Sequence, residues 1–176
     1  MKVKYSDLKN KRVFITGGGS GIGASIVEHF CEQGSEVYFV DINIKETNKL
    51  LKIIKKKRFR KPNFIECNLL DINKLEKIIK KIISTKGPIH ALVNSAANDD
   101  RHTTDQVDEK YWENRMAINL KHYFFAAKAV VKAMKKIKSG SIVNLSSVSW
   151  MLGEGDKVVY ETAKSAVVGL TRSFAQ

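Results

Sequence analysis

The sequence predicts an α/β protein with a doubly wound parallel sheet. Short apolar runs alternate with longer segments of helical periodicity along the whole chain. A glycine-rich turn follows the first apolar run and opens the first helical segment. The 176 residues, 43% hydrophobic and 28% charged, suffice for one domain with a substantial core and exclude a disordered chain. Strands that alternate with helices pair in parallel through right-handed crossover connections.

Turn residues bound each predicted element. The five predicted strands are the short apolar runs Arg12–Thr16, Glu36–Val40, Asn63–Cys67, Ile89–Val93 and Ser141–Leu145. The predicted helices carry apolar residues three and four positions apart; they are Gly21–Gln33, Lys45–Lys57, Asp71–Ser84, Asp108–Ile137 and a last helix from Val159 to the chain end. Gly34 stops the first helix and Asp71 caps the third. A polar loop, Asn98–Asp105, precedes the long fourth helix.

The net charge of +13 suggests a nucleic-acid partner as one hypothesis. Much of the charge is lysine in the second and third predicted helices, where it is interleaved with leucine and isoleucine. That pattern is typical of the solvated face of an amphipathic helix. Arginine and exposed aromatic side chains, which nucleic-acid sites usually add, are few in these stretches. We therefore predict no nucleic-acid partner, and DNA binding through the lysine faces stays as a rival hypothesis.

Membrane and export signals are absent from the sequence pattern. No apolar run approaches the roughly 20 residues of a spanning helix, and the first residues, MKVKYSDLKNKRVFITG, lack the apolar stretch of a signal peptide. The two cysteines, Cys31 and Cys67, have no CxxC or histidine-rich partner spacing and are interpreted as reduced core thiols. We expect a cytoplasmic protein with no membrane partner and no metal site.

The segment Thr16–Gly23, with the sequence TGGGSGIG, joins the first strand to the first helix. Glycines in this context permit a tight turn, let the backbone approach a pyrophosphate and allow the helix to pack closely on the strand. The free N–H groups and the dipole of the helix N-terminus favour an anion. The pattern predicts a Rossmann-type dinucleotide site, and its cofactor-binding residues here are Gly17, Ser20, Gly21, Ile22 and Gly23.

Asp41 follows the second strand, twenty residues beyond Gly21. A carboxylate there accepts hydrogen bonds from the adenosine ribose hydroxyls and repels a 2′-phosphate. Ser20, Ile42 and Asn43 supply no cation that could receive such a phosphate. The sequence therefore predicts NAD rather than NADP as the cofactor.

Tyr160 and Lys164 open the last predicted helix four residues apart, so they lie on one face, one turn apart. A phenol is too weakly acidic to serve as a base near neutral pH unless a neighbouring ammonium stabilises the phenolate. Ser147 follows the fifth strand, where its hydroxyl could hold a substrate oxygen against the phenol.

With these motifs the chain resembles the short-chain dehydrogenase/reductase family over essentially its whole length. TGGGSGIG matches the family's cofactor loop, and Asn68 and Leu69 fall at its adenine-contacting pair. Asn94 and Ala96 fall in its NNAG turn, which is Asn94-Ser95-Ala96-Ala97 here. The remaining match is the family's catalytic tetrad, at Asn119, Ser147, Tyr160 and Lys164.

The resemblance implies a role for each member of the tetrad. Tyr160 would act as general acid and base, and Ser147 would position the reacting oxygen. Lys164 would bind the nicotinamide ribose and stabilise the phenolate of Tyr160. Asn119 would anchor a water of the proton relay.

A narrower resemblance, to the bacterial aldose 1-dehydrogenases of the family, rests on four further stretches. They are Asn98-Asp99-Asp100-Arg101-His102, Tyr111-Trp112, Met116–Leu120 and Leu145–Trp150. The implied reaction moves a hydride from the anomeric carbon of an aldose to NAD and leaves an aldonolactone. Ser147 and Tyr160 would then contact the sugar, and Asn98 and Trp150 are weaker candidates for substrate contact.

Family members continue beyond the point where this sequence ends. We therefore expect residues 1–176 to be a single NAD-binding domain that lacks the last strands of the full fold, and a homo-oligomer if the chain is complete. Two rival functions stay open, a general carbonyl or 3-oxoacyl reductase and a truncated non-catalytic dinucleotide-binding or interaction module.

Overall fold

A computed structural model of the chain describes residues 3–176, so the first two residues of the predicted domain lie outside it. Five parallel strands form one sheet in the order β3-β2-β1-β4-β5. The strands are β1 (Arg12–Thr16), β2 (Glu36–Asp41), β3 (Asn63–Glu66), β4 (Ala91–Asn94) and β5 (Ser141–Asn144). All five strands expected from the sequence are present, and the predicted doubly wound parallel sheet is confirmed.

Seven α-helices accompany the strands within the described residues: α1 (Gly21–Glu32), α2 (Ile44–Lys56), α3 (Ile72–Lys86), α4 (Glu109–Met116), α5 (His122–Ile137), α6 (Ser149–Leu152) and α7 (Val158–Phe174). The predicted N-cap of α3 is confirmed, since the Asp71 side chain accepts a hydrogen bond from the N–H of Lys74.

The structure differs from the predicted elements in two places. The single helix expected over 108–137 is interrupted by a π-helical turn, Ala117–Lys121, which inserts an extra residue into the helical ladder and often marks a functional site. The stretch between β5 and the last helix also contains the short helix α6. No proline or glycine marks the interruption at 117–121, so the apolar periodicity alone predicts one continuous helix.

Hydrophobic cores cover both faces of the sheet, because neighbouring residues of a strand point to opposite faces. On one face Val13 and Ile15 pack in a cluster with residues of α1 and α2. On the other face Phe14 and Leu92 pack against α3 and α5. Cys31 and Cys67 are free and buried, one in each cluster, and burial raises the pKa of the Cys31 thiol to about 12.

The strand order places a crevice at a defined position. The chain passes from β1 outward through β2 and β3, then returns so that β4 pairs with the other side of β1. In an open parallel sheet, ligands bind outside the carboxyl ends of the strands where the order reverses. That position lies between β1 and β4, directly above the glycine-rich turn.

Two features that would suggest other functions are not found. No helix within residues 3–176 has the length and apolarity needed to cross a membrane. In the same range, no three His, Cys, Asp or Glu side chains come together as a metal site would require.

Gly23 illustrates how tightly the glycine turn packs on α1. A Cβ at this position would lie 1.9 Å from the backbone oxygen of Gly17, whereas a Cβ at Gly169, in α7, would meet no atom within 4 Å. Both glycines lie inside α-helices, so the gain in helix propensity on replacement by alanine is similar.

We expect Gly23→Ala to lower the free energy of unfolding by about 1–3 kcal/mol, because the clash is with backbone that cannot rotate away. Gly169→Ala, the matched control, should raise it by up to about 1 kcal/mol, since alanine forms helix better than glycine. Urea unfolding followed by circular dichroism measures both. Equal effects of the two substitutions would contradict the close packing at Gly23.

Candidate active site

The crevice at the carboxyl ends of β1 and β4 collects most of the residues expected to bind a cofactor. The residues expected from the sequence to contact cofactor or substrate that line it are Gly17, Ser20, Gly21, Ile22, Gly23, Asp41, Asn68, Leu69, Ala96, Asn98 and Tyr160. Asp99 and Ile118 line it as well. Segments from four strand ends and from the start of α7 therefore meet in one cleft.

The glycine turn is shaped for an anion. The N–H groups of Gly17 and Gly18 donate to the carbonyl of Val40 at 2.9 and 3.2 Å, which ties the turn to β2. Gly17 and Gly21 have φ angles of +69° and +53°, a left-handed conformation that glycine adopts without strain. Ser20, at the N-cap of α1, makes no side-chain capping bond. The first N–H groups of α1 thus have no side-chain acceptor and suit a phosphate group.

Asp41 faces the same turn. Its Oδ2 accepts a hydrogen bond from the N–H of Gly19 at 2.8 Å, and its Oδ1 accepts one from the N–H of Asn43 at 2.8 Å. Each carboxylate oxygen keeps lone pairs for another donor. Within the described chain, no lysine or arginine lines the crevice, so the charge of Asp41 dominates this end of it.

Tyr160 lines the other end of the crevice, and Lys164 is buried behind it. The Tyr160 side chain is half-buried and lines the cleft. Lys164 is only 1% exposed, and its Nζ lies 5.6 Å from the centroid of the Tyr160 ring. Burial lowers the pKa of Lys164 to about 8, an effect that the negative charge of Asp99 opposes. At neutral pH an ammonium therefore lies beside the phenol, as the four-residue spacing predicts.

The Lys164 ammonium has two protein acceptors. It donates to the hydroxyl of Tyr123 at 2.8 Å and to the backbone carbonyl of Leu145 at 2.7 Å. Leu145 directly follows β5, and Tyr123 lies in the first turn of α5. The ammonium is therefore tied to the sheet and to a neighbouring helix.

Ser147 lies in the segment between β5 and α6 and is half-buried. Its hydroxyl is 2.8 Å from the hydroxyl of Ser149 and accepts a hydrogen bond from the backbone N–H of Ser149 at 3.2 Å. Trp150, in α6, is half-buried and is not among the residues that line the crevice.

The side chains of Asn94 and Asn119 are committed to the protein itself. Asn94 Nδ2 donates to Asn144 Oδ1 at 2.8 Å, which joins the ends of β4 and β5 beneath the crevice. Asn119, in the π-helical turn, accepts from the N–H of Asn98 at 2.8 Å and donates to its carbonyl at 2.9 Å. Both bonds hold the loop that begins at Asn98, so in this structure the Asn119 side chain fixes a wall of the crevice.

His102, which the sequence analysis names in the Asn98–His102 stretch but gives no role, connects that loop to the start of α7. It is 5% exposed. Its N–H donates to the carbonyl of Asp156 at 2.8 Å, and its Nε2 accepts from the N–H of Val159 at 3.4 Å. Tyr111 places its hydroxyl 2.9 Å from Nδ1 of the same ring. The residue before Tyr160 is therefore held by a side chain from the far side of the crevice.

Three further residues of the site were missed by the sequence analysis: His102, His122 and Tyr123. The signal for the last two was available, since they lie three and four residues after Asn119, one helical turn away on the same face. In an apolar helix, however, a tyrosine and a histidine at these positions are typical of core packing.

His122 is fully buried beneath the crevice, with its Nε2 3.3 Å from the hydroxyl of Thr16. Burial lowers the pKa of His122 to about 3, and the nearby Lys164 charge acts in the same direction. The folded protein therefore keeps this ring neutral, whereas the unfolded chain takes up a proton near a pH of about 6.5.

Because only the unfolded state binds this proton, the stability that neutral His122 provides is present above a pH of about 6.5 and is lost as the pH falls toward 3. Between pH 7 and pH 5 we expect the free energy of unfolding to fall by about 2 kcal/mol more in the parent than in His122→Gln. Urea unfolding at the two pH values measures the difference. His29→Gln, at an exposed position, is the control and should behave as the parent; an equal fall in His122→Gln would contradict the prediction.

The fold and the crevice define an α/β protein with a dinucleotide-type site and a tyrosine–lysine pair at one end of it. Residues 11–176 match the family model for short chain dehydrogenases. The chain is 41% identical to a D-xylose 1-dehydrogenase of Caulobacter vibrioides and 37% identical to a probable galactose dehydrogenase of Rhizobium meliloti, over 98% of this chain and 67% of each relative. The chain belongs to the short-chain dehydrogenase family, whose members are oxidoreductases, as its motifs predict.

Solved structures agree with this assignment. The aldohexose dehydrogenase of Thermoplasma acidophilum superposes with a TM-score of 0.84 at 31% identity, over 97% of this chain and 62% of that protein. The chain thus spans about two thirds of the length of the relatives it matches.

Proposed function

We propose that the protein is an NAD-dependent oxidoreductase that oxidises an aldose at the anomeric carbon to an aldonolactone. The observation that supports it most directly is the position of Tyr160 in the crevice wall with the buried ammonium of Lys164 beside its ring. The family assignment and the sugar dehydrogenases among the relatives favour a sugar as the substrate.

The crevice fits NAD on three counts. The uncapped N-terminus of α1 suits the pyrophosphate, and the Asp41 carboxylate suits the adenosine ribose hydroxyls. Asn68 and Leu69 would flank the adenine ring between them. When bound at the Tyr160 end, the cofactor supplies the acceptor for the hydride.

The residues of the chain then perform the proton chemistry. Tyr160, in its phenolate form, takes the proton from the anomeric hydroxyl as the hydride leaves the same carbon. The Lys164 ammonium would stabilise the phenolate and hold the nicotinamide ribose of a bound cofactor, and the Ser147 hydroxyl would orient the substrate oxygen. The sugar gives a hydride to the cofactor and a proton to Tyr160, which together are two electrons and two protons, and the hemiacetal carbon becomes a lactone carbonyl.

We expect Tyr160→Phe to lower the rate of NADH formation from D-xylose or D-galactose by about 100-fold or more, because the general base is lost. NAD affinity, measured by fluorescence titration, should change little. Absorbance at 340 nm with a panel of aldoses follows the reaction. Tyr38→Phe removes a phenol oxygen from β2, far from the Tyr160 end of the crevice, and should stay active.

The same assay separates the rival functions. NADPH-driven reduction of 3-oxoacyl substrates with no aldose turnover would support the reductase. Tight cofactor binding with no turnover of either substrate class would support a non-catalytic module. Turnover by Tyr160→Phe equal to that of the parent would contradict the proposed mechanism.

Asp41 tests the choice of NAD over NADP. We expect Asp41→Asn to weaken NAD binding by about tenfold. A hydrogen bond to a charged acceptor contributes about 1.5–3 kcal/mol, whereas one to a neutral acceptor contributes about 1 kcal/mol. NADP binding should improve relative to NAD, because the repulsion of the 2′-phosphate is removed.

Isothermal titration of both cofactors measures this change, with Asp105→Asn, at an exposed position, as the control. Tighter binding of NADP than of NAD by the parent chain would exclude the proposed cofactor preference.

We propose in addition that the chain pairs with a second copy through the outer face of α4, α5 and α7. Large apolar side chains are exposed there, among them Trp112 at 40%, Phe124 at 42% and Val168 at 38%. Phe125, Ala166 and Leu170 line a shallow depression on the same face, and an exposed apolar patch of this kind is typical of an interface.

A further inference from the structure

The donor geometry of Lys164 limits what its side chain can contact. A protonated lysine has three N–H donors, and a buried charge is costly unless its donors are paired. Two of the three are taken by the Tyr123 hydroxyl and the Leu145 carbonyl, at 2.8 and 2.7 Å. One donor is left beyond these two bonds. Its direction depends on the two acceptors that fix the other donors.

The Tyr123 hydroxyl is itself held in place. The residue is fully buried, and its oxygen lies 3.1 Å from the Leu145 carbonyl and 3.3 Å from the Ala96 carbonyl. A phenol has one proton to donate, so it is donated to one of these carbonyls and an oxygen lone pair is left for Lys164. Because Ala96 and Leu145 follow β4 and β5, the hydroxyl is anchored to the sheet on both sides.

The charge state of the surroundings keeps Tyr123 a neutral acceptor. Burial raises the pKa of Tyr123 above its ordinary value, so the phenol stays protonated. The His122 ring, packed 4.5 Å from the Tyr123 ring between centroids, is kept neutral by burial. Among the buried side chains of His122, Tyr123 and Lys164, the positive charge is thus on Lys164. The dipole of the neutral Tyr123 hydroxyl stabilises this charge.

The side chain of Asn119, which precedes Tyr123 in the chain, has other partners. The resemblance implies that Asn119 anchors a water of the proton relay, and here both ends of its amide bond the backbone of Asn98. Tyr123 lies four residues later, one helical turn beyond it. From this stretch of helix, the side chain that contacts Lys164 is that of Tyr123.

We propose that Tyr123 is a positioning residue of the active site, whose buried hydroxyl holds the Lys164 ammonium so that its third N–H faces the crevice beside Tyr160. The role rests on the proposed function, since the oriented ammonium serves the phenolate and the nicotinamide ribose. Tyr123 itself touches neither substrate nor cofactor.

The test compares Tyr123→Phe with Tyr38→Phe, which also deletes one phenol oxygen from a buried side chain. NMR titration of isotope-labelled lysine side chains gives the pKa of Lys164, assigned through Lys164→Arg. In the parent we expect the pKa of Lys164 at about 8. Its titration is then separated from that of a lysine with the ordinary pKa of about 10.4. Loss of the Tyr123 acceptor destabilises the ammonium, so Tyr123→Phe should lower this pKa by about half a unit or more.

Turnover gives the second measurement. For Tyr123→Phe we expect kcat for NADH formation to fall about tenfold with the sugar KM nearly unchanged, the pattern of a lost transition-state interaction. Tyr38→Phe should leave both the Lys164 titration and kcat at parent values. If Tyr123→Phe does not fold, replacement of Tyr123 by 3-fluorotyrosine, a weaker acceptor of nearly the same shape, should lower the Lys164 pKa in the same direction.

The outcomes distinguish this proposal from the proposed function. The lysine titration needs no turnover, so an unchanged Lys164 pKa in Tyr123→Phe or in the fluorotyrosine protein overturns the positioning role. Failure of the parent chain to form NADH from any aldose overturns the proposed function alone.

Discussion

The burial of one lysine organises the candidate active site. Lys164 is almost wholly shielded from solvent, and an ammonium in such a position must find acceptors within the protein. It finds them where α5 and the end of β5 meet, through Tyr123 and Leu145. This arrangement depends on the sheet, on the helix that crosses behind it and on the start of α7 being correctly placed together.

The two ends of the crevice differ in the charge and the exposure of their ionisable side chains. At the Asp41 end, backbone N–H groups hold a carboxylate that stays accessible to a ligand. At the Tyr160 end, the Lys164 ammonium is buried 5.6 Å from the centroid of the Tyr160 ring. The Asn98 loop joins the two regions, since Asn119 holds its beginning and His102 ties it to the residues before Tyr160. The accessible charge at one end of the cleft is therefore negative, whereas the positive charge at the other end is buried beneath the wall.

Most of the fold could be predicted because its signals are local. Apolar runs, glycine turns and helical periodicity identify the five strands and the main helices, and the spacing of Tyr160 and Lys164 places both on one face of α7. The break at Ala117–Lys121 could not be predicted, since no helix-breaking residue marks it and the partner of its Asn119, Asn98, lies 21 residues earlier in the chain. The contact of Tyr123 with Lys164 could not be predicted either, because its partners follow β4 and β5 or lie in α7 and meet only in the folded chain.

The most direct test of this account is a crystal structure of the chain with NAD bound. We predict the pyrophosphate at the N-terminus of α1, the adenosine ribose at Asp41 and the nicotinamide ribose within hydrogen-bonding distance of Lys164 Nζ, with the Tyr123 contact retained. A nicotinamide ring directed away from Tyr160, or an ammonium that has left Tyr123 to reach the ribose, would contradict the account.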